Sequence, residues 1–188
     1  MKVYFGLIIF LLFIVIVLVR SAILKKQGIE AIEFGKKDKK DFFIPPFAFF
    51  YLYLITANAF SLPTIPGQKL FDIELVSCAG ILFCLAGLSF FIWTMISFKK
   101  SFRVGLVDNT PQGLITAGAF SVSRNPIYVS FAVLLTGQFL IFPSWILLIY
   151  VFAGMATFHR QVLKEEKFLS DQYDKEFELY CKKVRRYL

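Results

Sequence analysis

The sequence predicts an all-α, polytopic membrane protein with about five transmembrane helices and a C-terminal amphipathic helix. The chain has 188 residues, is 57% hydrophobic and contains 24 phenylalanines, more than a soluble domain of this length can bury. Its apolar residues also form runs that are long enough to cross a bilayer. Because the connections between these runs are short, we expect residues 1–188 to form a single membrane domain.

Five apolar segments are the candidate transmembrane helices. They cover residues 3–22, 43–62, 70–98, 126–142 and 145–163. Pro45 and Pro46 lie in the first turn of the second segment and Pro126 begins the fourth, and a helix tolerates proline at these positions. Pro143 and Ser144 alone separate the last two segments, which predicts an antiparallel hairpin.

Small residues recur along the third segment. Gly80, Cys84 and Gly87 follow the i, i+4, i+7 spacing of one helix face. Such a stripe is typical of close contact between transmembrane helices.

The cysteines and the single histidine do not form a recognisable pattern. Cys78 and Cys84 lie six residues apart in one apolar segment, and Cys181 is distant in sequence. We therefore expect neither a disulfide nor a metal site, because His159 has no other zinc ligands near it in the sequence.

The net charge of +8 is distributed in a way that indicates a membrane topology rather than nucleic-acid binding. All lysines and arginines except Lys2 and Lys69 fall on one side of the predicted topology. The positive-inside rule then places the amino terminus outside and the carboxyl terminus in the cytoplasm. The basic residues would also attract anionic lipid headgroups, and the small size suits a prokaryotic cell membrane.

Residues 164–184 predict an amphipathic helix. Its apolar positions recur at steps of three and four: Phe168, Leu169, Tyr173, Phe177, Tyr180 and Val184. Basic residues follow near its end: Lys182, Lys183, Arg185 and Arg186. Such a helix is suited either to the membrane surface or to the role of a cap over a cytoplasmic pocket.

Two polar clusters stand out in this apolar chain. The first is the stretch Gly113–Tyr128, and the second is the pair Glu165–Glu166, which the predicted hairpin brings to the same membrane face. Arg124 and the two carboxylates could together bind a ligand that carries both a carboxylate and an amine. Gly113 and Gly118 would let the backbone approach an adenine or a sugar, and Asn125 offers a donor and an acceptor. An amino-acid-bearing nucleotide fits these groups.

Each of these polar residues also has a simpler explanation. Arg124 could extend to the membrane interface, and Glu165 and Glu166 could be solvated in the first turn of the following helix.

The ordered combination of the two clusters resembles a known family. The block Leu114-x-Thr-x-Gly-Ala-Phe-x-x-Ser-Arg-Asn-Pro-x-Tyr128 is similar to a pattern in the isoprenylcysteine carboxyl methyltransferase and phospholipid methyltransferase superfamily of membrane enzymes. The second block also resembles that family: a Glu–Glu pair, then leucine and aromatics, then the ending Val184–Tyr187. The resemblance covers residues 103–188.

The resemblance implies S-adenosylmethionine as methyl donor, bound in a cytoplasmic-side pocket under the C-terminal helix, with residues 101–125 as the cofactor-binding loop. Along the cofactor it implies Leu114, Thr116, Gly118, Ala119 and Phe120. At the amino-acid end of the cofactor it implies Arg124, Asn125 and Tyr128, with Glu165 and Glu166 opposite. A lipophilic acceptor would enter from the bilayer.

The chain departs from the family pattern at three places. Asn125 stands where many members have histidine, and Ala119 replaces a proline. In the prenylcysteine enzymes an arginine about one helical turn before the Glu pair is linked to catalysis, and the nearest here is Arg160, five residues before Glu165. The resemblance thus implies Arg160 and Glu166 as catalytic residues.

Methyl transfer from a sulfonium depends mainly on positioning and desolvation. An amine acceptor would need a base, for which only Glu166 and His159 are candidates, so the sequence slightly favours a carboxylate or thiol acceptor. Prenylated cysteine, phosphatidylethanolamine and other lipids all stay open as acceptors. The alternative functions are an NADPH-dependent sterol-type membrane reductase and a non-enzymatic membrane adapter.

Overall fold

Helices account for nearly all regular structure in the computed structural model, which describes residues 2–26, 44–98 and 113–188. The helices are α1 (Lys2–Lys26), α2 (Ile44–Phe60), α3 (Glu74–Phe98), α4 (Pro126–Ile141) and α5 (Trp145–Lys183), with a 3-10 helix at Gly118–Ser121. The predicted all-α class is therefore confirmed for this part of the chain. The first twelve residues of the predicted loop 101–125 lie outside the described residues, as does residue 43 of the second predicted span.

Three of these helices are long and apolar enough to cross a membrane: the segment Tyr4–Ile23 of α1, and the whole of α3 and α5. Helices α2 and α4 are apolar but have 17 and 16 residues, which corresponds to about 25 Å. The hydrocarbon core of a bilayer is about 30 Å thick. The count of five spans therefore stays a prediction.

The outer surface of the bundle is apolar. Large hydrophobic side chains within α3 and α5, such as Leu75, Leu82, Ile96 and Phe152, are more than 60% exposed. Exposure of so large an apolar surface to water is unfavourable for a folded protein, whereas contact of that surface with lipid is favourable. The chain is an integral membrane protein.

Helices α3 and α4 form the closest contact in the bundle, and small residues make it possible. A Cβ atom added to Gly80 would lie 2.7 Å from the carbonyl oxygen of Gly137, and one added to Gly137 would lie 2.6 Å from Sγ of Cys84. A Cβ at Gly87 would lie 3.1 Å from the amide nitrogen of Leu134. The predicted stripe of small residues therefore packs against α4.

The α4–α5 hairpin is fixed at its turn by the segment that precedes α3. The amide of Leu70 donates to the carbonyl of Pro143 (2.8 Å), and the amide of Trp145 donates to the carbonyl of Gln68 (3.1 Å). Ser144 caps α5, because its hydroxyl accepts from the amide of Leu147 at 3.1 Å. The antiparallel hairpin predicted from Pro143 and Ser144 is thus present.

The packing of α1 defines the two ends of the bundle. Its first turns lie at the hairpin end, where the Gln138 side chain donates to the carbonyl of Gly6 at 2.7 Å. Its Ile16 and Val17 pack in one cluster with Phe98, the last residue of α3, and with Ile127 of α4. We call this second end, which also carries Asn125, the polar end.

Helix α5 passes through the predicted boundary between residues 163 and 164 without a break. The described helix continues to Lys183, and its one non-helical residue is Asp174, with φ 41° and ψ −112°. A positive φ is unusual for a residue other than glycine, and it redirects the last turns of the helix. The span and the first part of the predicted C-terminal helix are therefore continuous up to a kink at Asp174.

Candidate functional site

The loop before α4 is anchored to the end of α3. The amide of Ala119 donates to the hydroxyl of Ser97 at 3.0 Å, and the Phe120 ring stands edge-on to Phe98, with the centroids 4.8 Å apart. Gly118 has φ +66°, and a Cβ there would collide with the Ser97 side chain. Only glycine meets both conditions at this position without strain.

The end of the chain binds to the same loop. The Tyr180 hydroxyl donates to the carbonyl of Phe120 at 2.6 Å, and the Arg124 amide donates to the carbonyl of Arg185 at 3.0 Å. The carbonyl of Arg186 accepts from the Asn125 side chain at 3.2 Å and from the Ser123 hydroxyl at 3.3 Å. Each of these hydrogen bonds has a backbone carbonyl as its acceptor. They hold the last residues of the chain against the loop, so these residues form part of the wall of the polar end.

A buried carboxylate lies at the centre of this arrangement. Oε1 of Glu166 accepts from Nδ2 of Asn125 at 2.9 Å and lies 3.4 Å from Nη2 of Arg124. Its Oε2 accepts from Nε and Nη2 of Arg186 at 2.9 and 2.8 Å. We call these four residues the Glu166 cluster. Two guanidinium groups face one carboxylate, so the cluster carries excess positive charge.

Arg124 has an unused donor in this cluster. Its Nη1 donates to Sγ of Cys181, and its Nη2 faces Glu166. Its Nε is buried and has no hydrogen-bond partner among the described residues. A buried donor without an acceptor is costly, and an anionic oxygen from a ligand would satisfy it.

Glu165 points in a different direction from Glu166, because adjacent helical residues differ by about 100°. Its Oε1 accepts from the Tyr128 hydroxyl at 2.5 Å and from Nε2 of Gln161 at 3.0 Å. The Tyr128 ring packs against Phe158, with centroids 5.9 Å apart. These partners of Glu165 are neutral, so they do not balance a charge on its carboxylate.

The C-terminal residues run along the face of α5 that carries Glu166. Nδ1 of His159 is 2.7 Å from the Tyr187 hydroxyl, and His159 precedes Glu166 by seven residues on the same face. The hydrogen bond with Glu166 raises the pKa of Arg186 above its usual value, and partial burial raises the pKa of Tyr187. Arg186 therefore stays charged at every physiological pH.

The structure brings together five of the residues that the sequence singled out. Arg124, Asn125 and Glu166 contact one another, and Tyr128 and Glu165 form a second hydrogen-bonded pair beside them. Of the predicted cofactor residues before Arg124, Ala119 and Phe120 are buried, Leu114 is partly buried, and Thr116 and Gly118 are exposed. The assignment of these residues to a cofactor stays a prediction.

Arg160 lies apart from this group. Its side chain is exposed, and its position six residues before Glu166 places it on another face of α5. The catalytic role that the resemblance implies for Arg160 stays a prediction.

Sequence reasoning left several contributors to the site unassigned. They are Ser97, Ser123, Gln161, Tyr180, Cys181 and Arg186. The basic ending of the chain was a signal for Arg186, and the helical spacing of Gln161 to Glu165 was a signal for Gln161. Ser97 gave none, because a serine at the end of an apolar helix is common.

The arrangement suits a zwitterionic ligand. The chemistry of the unused Nε of Arg124 matches a carboxylate, and that of the Glu165 carboxylate matches an ammonium group. Both groups lie at the polar end of the bundle.

Comparison with known proteins identifies a family. The family model described as phospholipid methyltransferase matches residues 75–176, which is more than half of the chain. The match includes α3, α4 and most of α5, and thus Arg124 and Glu166, whereas Arg186 lies beyond it. No curated protein and no solved structure matches the chain.

Proposed function

Because the chain belongs to the phospholipid methyltransferase family, we propose that it transfers a methyl group from S-adenosylmethionine to a lipophilic acceptor at the polar end of its bundle. The family supports a membrane methyltransferase. The choice of cofactor rests on Nε of Arg124, which is buried without a partner among the described residues, and on the nearby carboxylate of Glu165 at the same end of the bundle.

The residues present fit the amino-acid portion of S-adenosylmethionine. Arg124 would hold its carboxylate, since Nε is free to donate while Nη2 stays with Glu166. Glu165 would accept from its ammonium group. Glu166 would act mainly by orienting Arg124 and Asn125, because its polar contacts within the described part of the chain are to these residues and Arg186. The anchored backbone of Gly118–Ser121 would border the nucleoside.

When bound, the cofactor supplies a methyl group that its sulfonium already activates. The protein's contribution is then positioning and the exclusion of water. Phe131 and Phe158 pack against each other with centroids 5.4 Å apart, and Tyr128 lies against both. These rings form an apolar wall beside the polar residues, which suits an acceptor with a hydrocarbon tail.

We place the polar end on the cytoplasmic side. Arg124, Arg160, Lys164 and Arg186 lie at or near this end, whereas Lys69 lies at the hairpin end. The positive-inside rule supports this orientation, with the amino terminus outside.

Calorimetric titration of the detergent-purified protein tests the proposal. We expect S-adenosylmethionine to bind with a Kd well below millimolar and NADPH to give no comparable heat. Arg124→Ala should weaken binding roughly ten- to a hundredfold, because it removes a charged hydrogen bond to the carboxylate. Arg185→Ala is the matched control, since the Arg185 side chain is exposed.

Two results would reject this function. The first is a lack of S-adenosylmethionine binding up to millimolar concentration. The second is binding of NADPH in its place, which would indicate a reductase. If the cofactor binds, lipid extracts incubated with a labelled methyl donor identify the acceptor.

A further inference from the structure

Arg20 occupies a special position near the end of α1. Phe13, Ile16 and Val17 of this helix pack into the cluster around Phe91, and the Phe13 ring is 4.8 Å from that of Phe91. Arg20 follows these residues by seven, four and three positions, so it lies on the same helix face. It is about one turn nearer the polar end.

This face of α1 leads to the proposed site of methyl transfer. The same cluster includes Ile127 and Phe131 of α4. Tyr128 follows Ile127, its ring centroid is 6.3 Å from that of Phe131, and its hydroxyl binds Glu165. Arg20 therefore lies toward the beginning of α4.

Two of the three guanidinium nitrogens of Arg20 are buried without a partner among the described residues. Its Nε and Nη2 are both inaccessible, and neither has a hydrogen-bond acceptor among the described residues. An arginine near the end of a transmembrane helix ordinarily extends its charged group to the interface, which these atoms do not do. A charge held in this way is costly and indicates a function that needs it.

The two unpartnered nitrogens define what would satisfy them. Nε and Nη2 lie on one edge of the planar guanidinium, which matches two oxygens of a single anionic group. A ligand that reaches this place from the bilayer must also carry a hydrocarbon tail. The rings of Phe13 and Phe131, whose centroids are 5.3 Å apart, provide an apolar surface for such a tail.

We propose that Arg20 binds a pair of anionic oxygens on the methyl acceptor and holds its headgroup beside Tyr128. The phosphodiester of a phospholipid and the terminal carboxylate of a prenylated cysteine both carry such a pair. The inference rests on the proposed function, because it assumes that the acceptor approaches the polar end between α1 and α4. Arg20 is a specificity residue for the acceptor, whereas Arg124 serves the cofactor.

Thermal unfolding in detergent micelles tests this with three probes. They are dioctanoyl phosphatidylethanolamine, N-acetyl-S-farnesylcysteine and dioctanoylglycerol, of which the last has tails but no anion. Of the two probes that carry an anionic group, we expect one to raise the Tm of the wild-type protein. Dioctanoylglycerol should have little effect. Arg20→Met should weaken binding of the stabilising probe roughly ten- to a hundredfold. The probe that responds identifies the source of the anion.

Three further measurements separate this role from a structural one. Arg20→Met should leave the Kd of S-adenosylmethionine unchanged, and it should not lower the Tm without ligand, because it removes two buried donors that have no acceptor among the described residues. Once the acceptor is identified, Arg20→Met should raise the KM for the acceptor by a larger factor than it lowers kcat. Arg20→Lys keeps the charge without the planar edge and should lose part of the affinity. Lys25→Gln, at an exposed position in the last turn of α1, should behave as wild type.

The proposal is overturned if neither anionic probe stabilises the wild-type protein more than dioctanoylglycerol does. It is also overturned if Arg20→Met and Arg20→Lys bind the probe as wild type does, or if they lose affinity for S-adenosylmethionine instead. The probe experiment needs no catalysis. A failure of cofactor binding would therefore reject the proposed function without deciding the role of Arg20.

Discussion

Glu166 is the residue on which most polar contacts of the site converge. It accepts from Asn125 at 2.9 Å and from Arg186 at 2.8–2.9 Å, while Arg124 lies 3.4 Å away. Its side chain is 9% exposed, so each of these contacts is partly shielded from water. Removal of its charge would leave buried donors with a poorer acceptor.

We expect Glu166→Gln to lower the free energy of unfolding by about 1–3 kcal/mol and to weaken binding of S-adenosylmethionine at least tenfold. The neutral amide keeps the volume but leaves Arg124 without its counter-charge. Chemical unfolding and calorimetric titration in the same detergent measure the two effects.

Glu178→Gln is the matched control for that variant. Glu178 also contacts a cation, Lys182 at 2.7 Å, but both side chains are about two-thirds exposed. Exposed ion pairs contribute little to stability, so neither quantity should change. Equal effects of the two substitutions would show that the buried cluster has no special role.

At the scale of elements, the α3–α4 contact fixes the position of the loop that leads into α4 and borders the site. Ser97 at the end of α3 anchors the loop that leads into α4, and the two helices approach closely at Gly80, Gly87 and Gly137. A change in their separation would therefore move Ala119 relative to Asn125. The packing of glycines in the bundle and the geometry of the polar end are linked in this way.

Gly137→Ala tests this link. The new methyl group would lie 2.6 Å from Sγ of Cys84 and 2.8 Å from its backbone nitrogen, so the helices must separate. We expect a loss of about 1–3 kcal/mol in the free energy of unfolding, as for other overpacked cores, together with weaker cofactor binding.

Gly154→Ala provides the comparison for Gly137→Ala. Its methyl group would first meet Cδ1 of Leu135 at 2.7 Å, the tip of a flexible side chain rather than backbone. A loss of less than about 1 kcal/mol is expected, measured by the same unfolding experiment. A larger loss for Gly154→Ala than for Gly137→Ala would contradict the role given to the α3–α4 contact.

At the scale of the whole molecule, the chain closes on itself at the polar end. Arg185 and Arg186 bind residues 123–125 and Glu166, although they are separated from the loop by two helices. The match to the family ends at residue 176, so these terminal contacts were found in the structure alone.

Deletion of residues 184–188 tests the importance of this closure. It removes the carbonyl of Arg186, which accepts from Asn125 and Ser123, and the guanidinium that binds Glu166. We expect circular dichroism to show retained helices, whereas calorimetry should show at least tenfold weaker binding of S-adenosylmethionine. Tyr187→Phe removes only the exposed contact with His159 and should have a smaller effect. A truncated protein that binds the cofactor as wild type does would exclude the tail from the site.

Much of the site could be predicted because its residues lie in two short blocks joined by a hairpin. Arg124 and Asn125 directly precede α4 and Tyr128 lies in its first turn, and the hairpin at Ser144 returns α5 so that Glu165 and Glu166 meet them. The different directions of the two glutamates could be derived from helical geometry once the helix was known to be continuous. The change from the apolar pattern to the amphipathic one after residue 163 does not interrupt the helix, whose non-helical residue is Asp174, because both patterns can continue one helix.

The sequence by itself determined the all-helical membrane class, the hairpin and the identity of the polar residues at its open end. Hydrophobicity and helical spacing are local properties, so they can be read from neighbouring positions. Only the tertiary structure decided that Arg186 binds Glu166, and that Nε of Arg124 and two nitrogens of Arg20 are buried without an acceptor among the described residues. These features depend on which side chains and backbone carbonyls from distant parts of the chain come together in the fold. No local sequence pattern specifies such contacts.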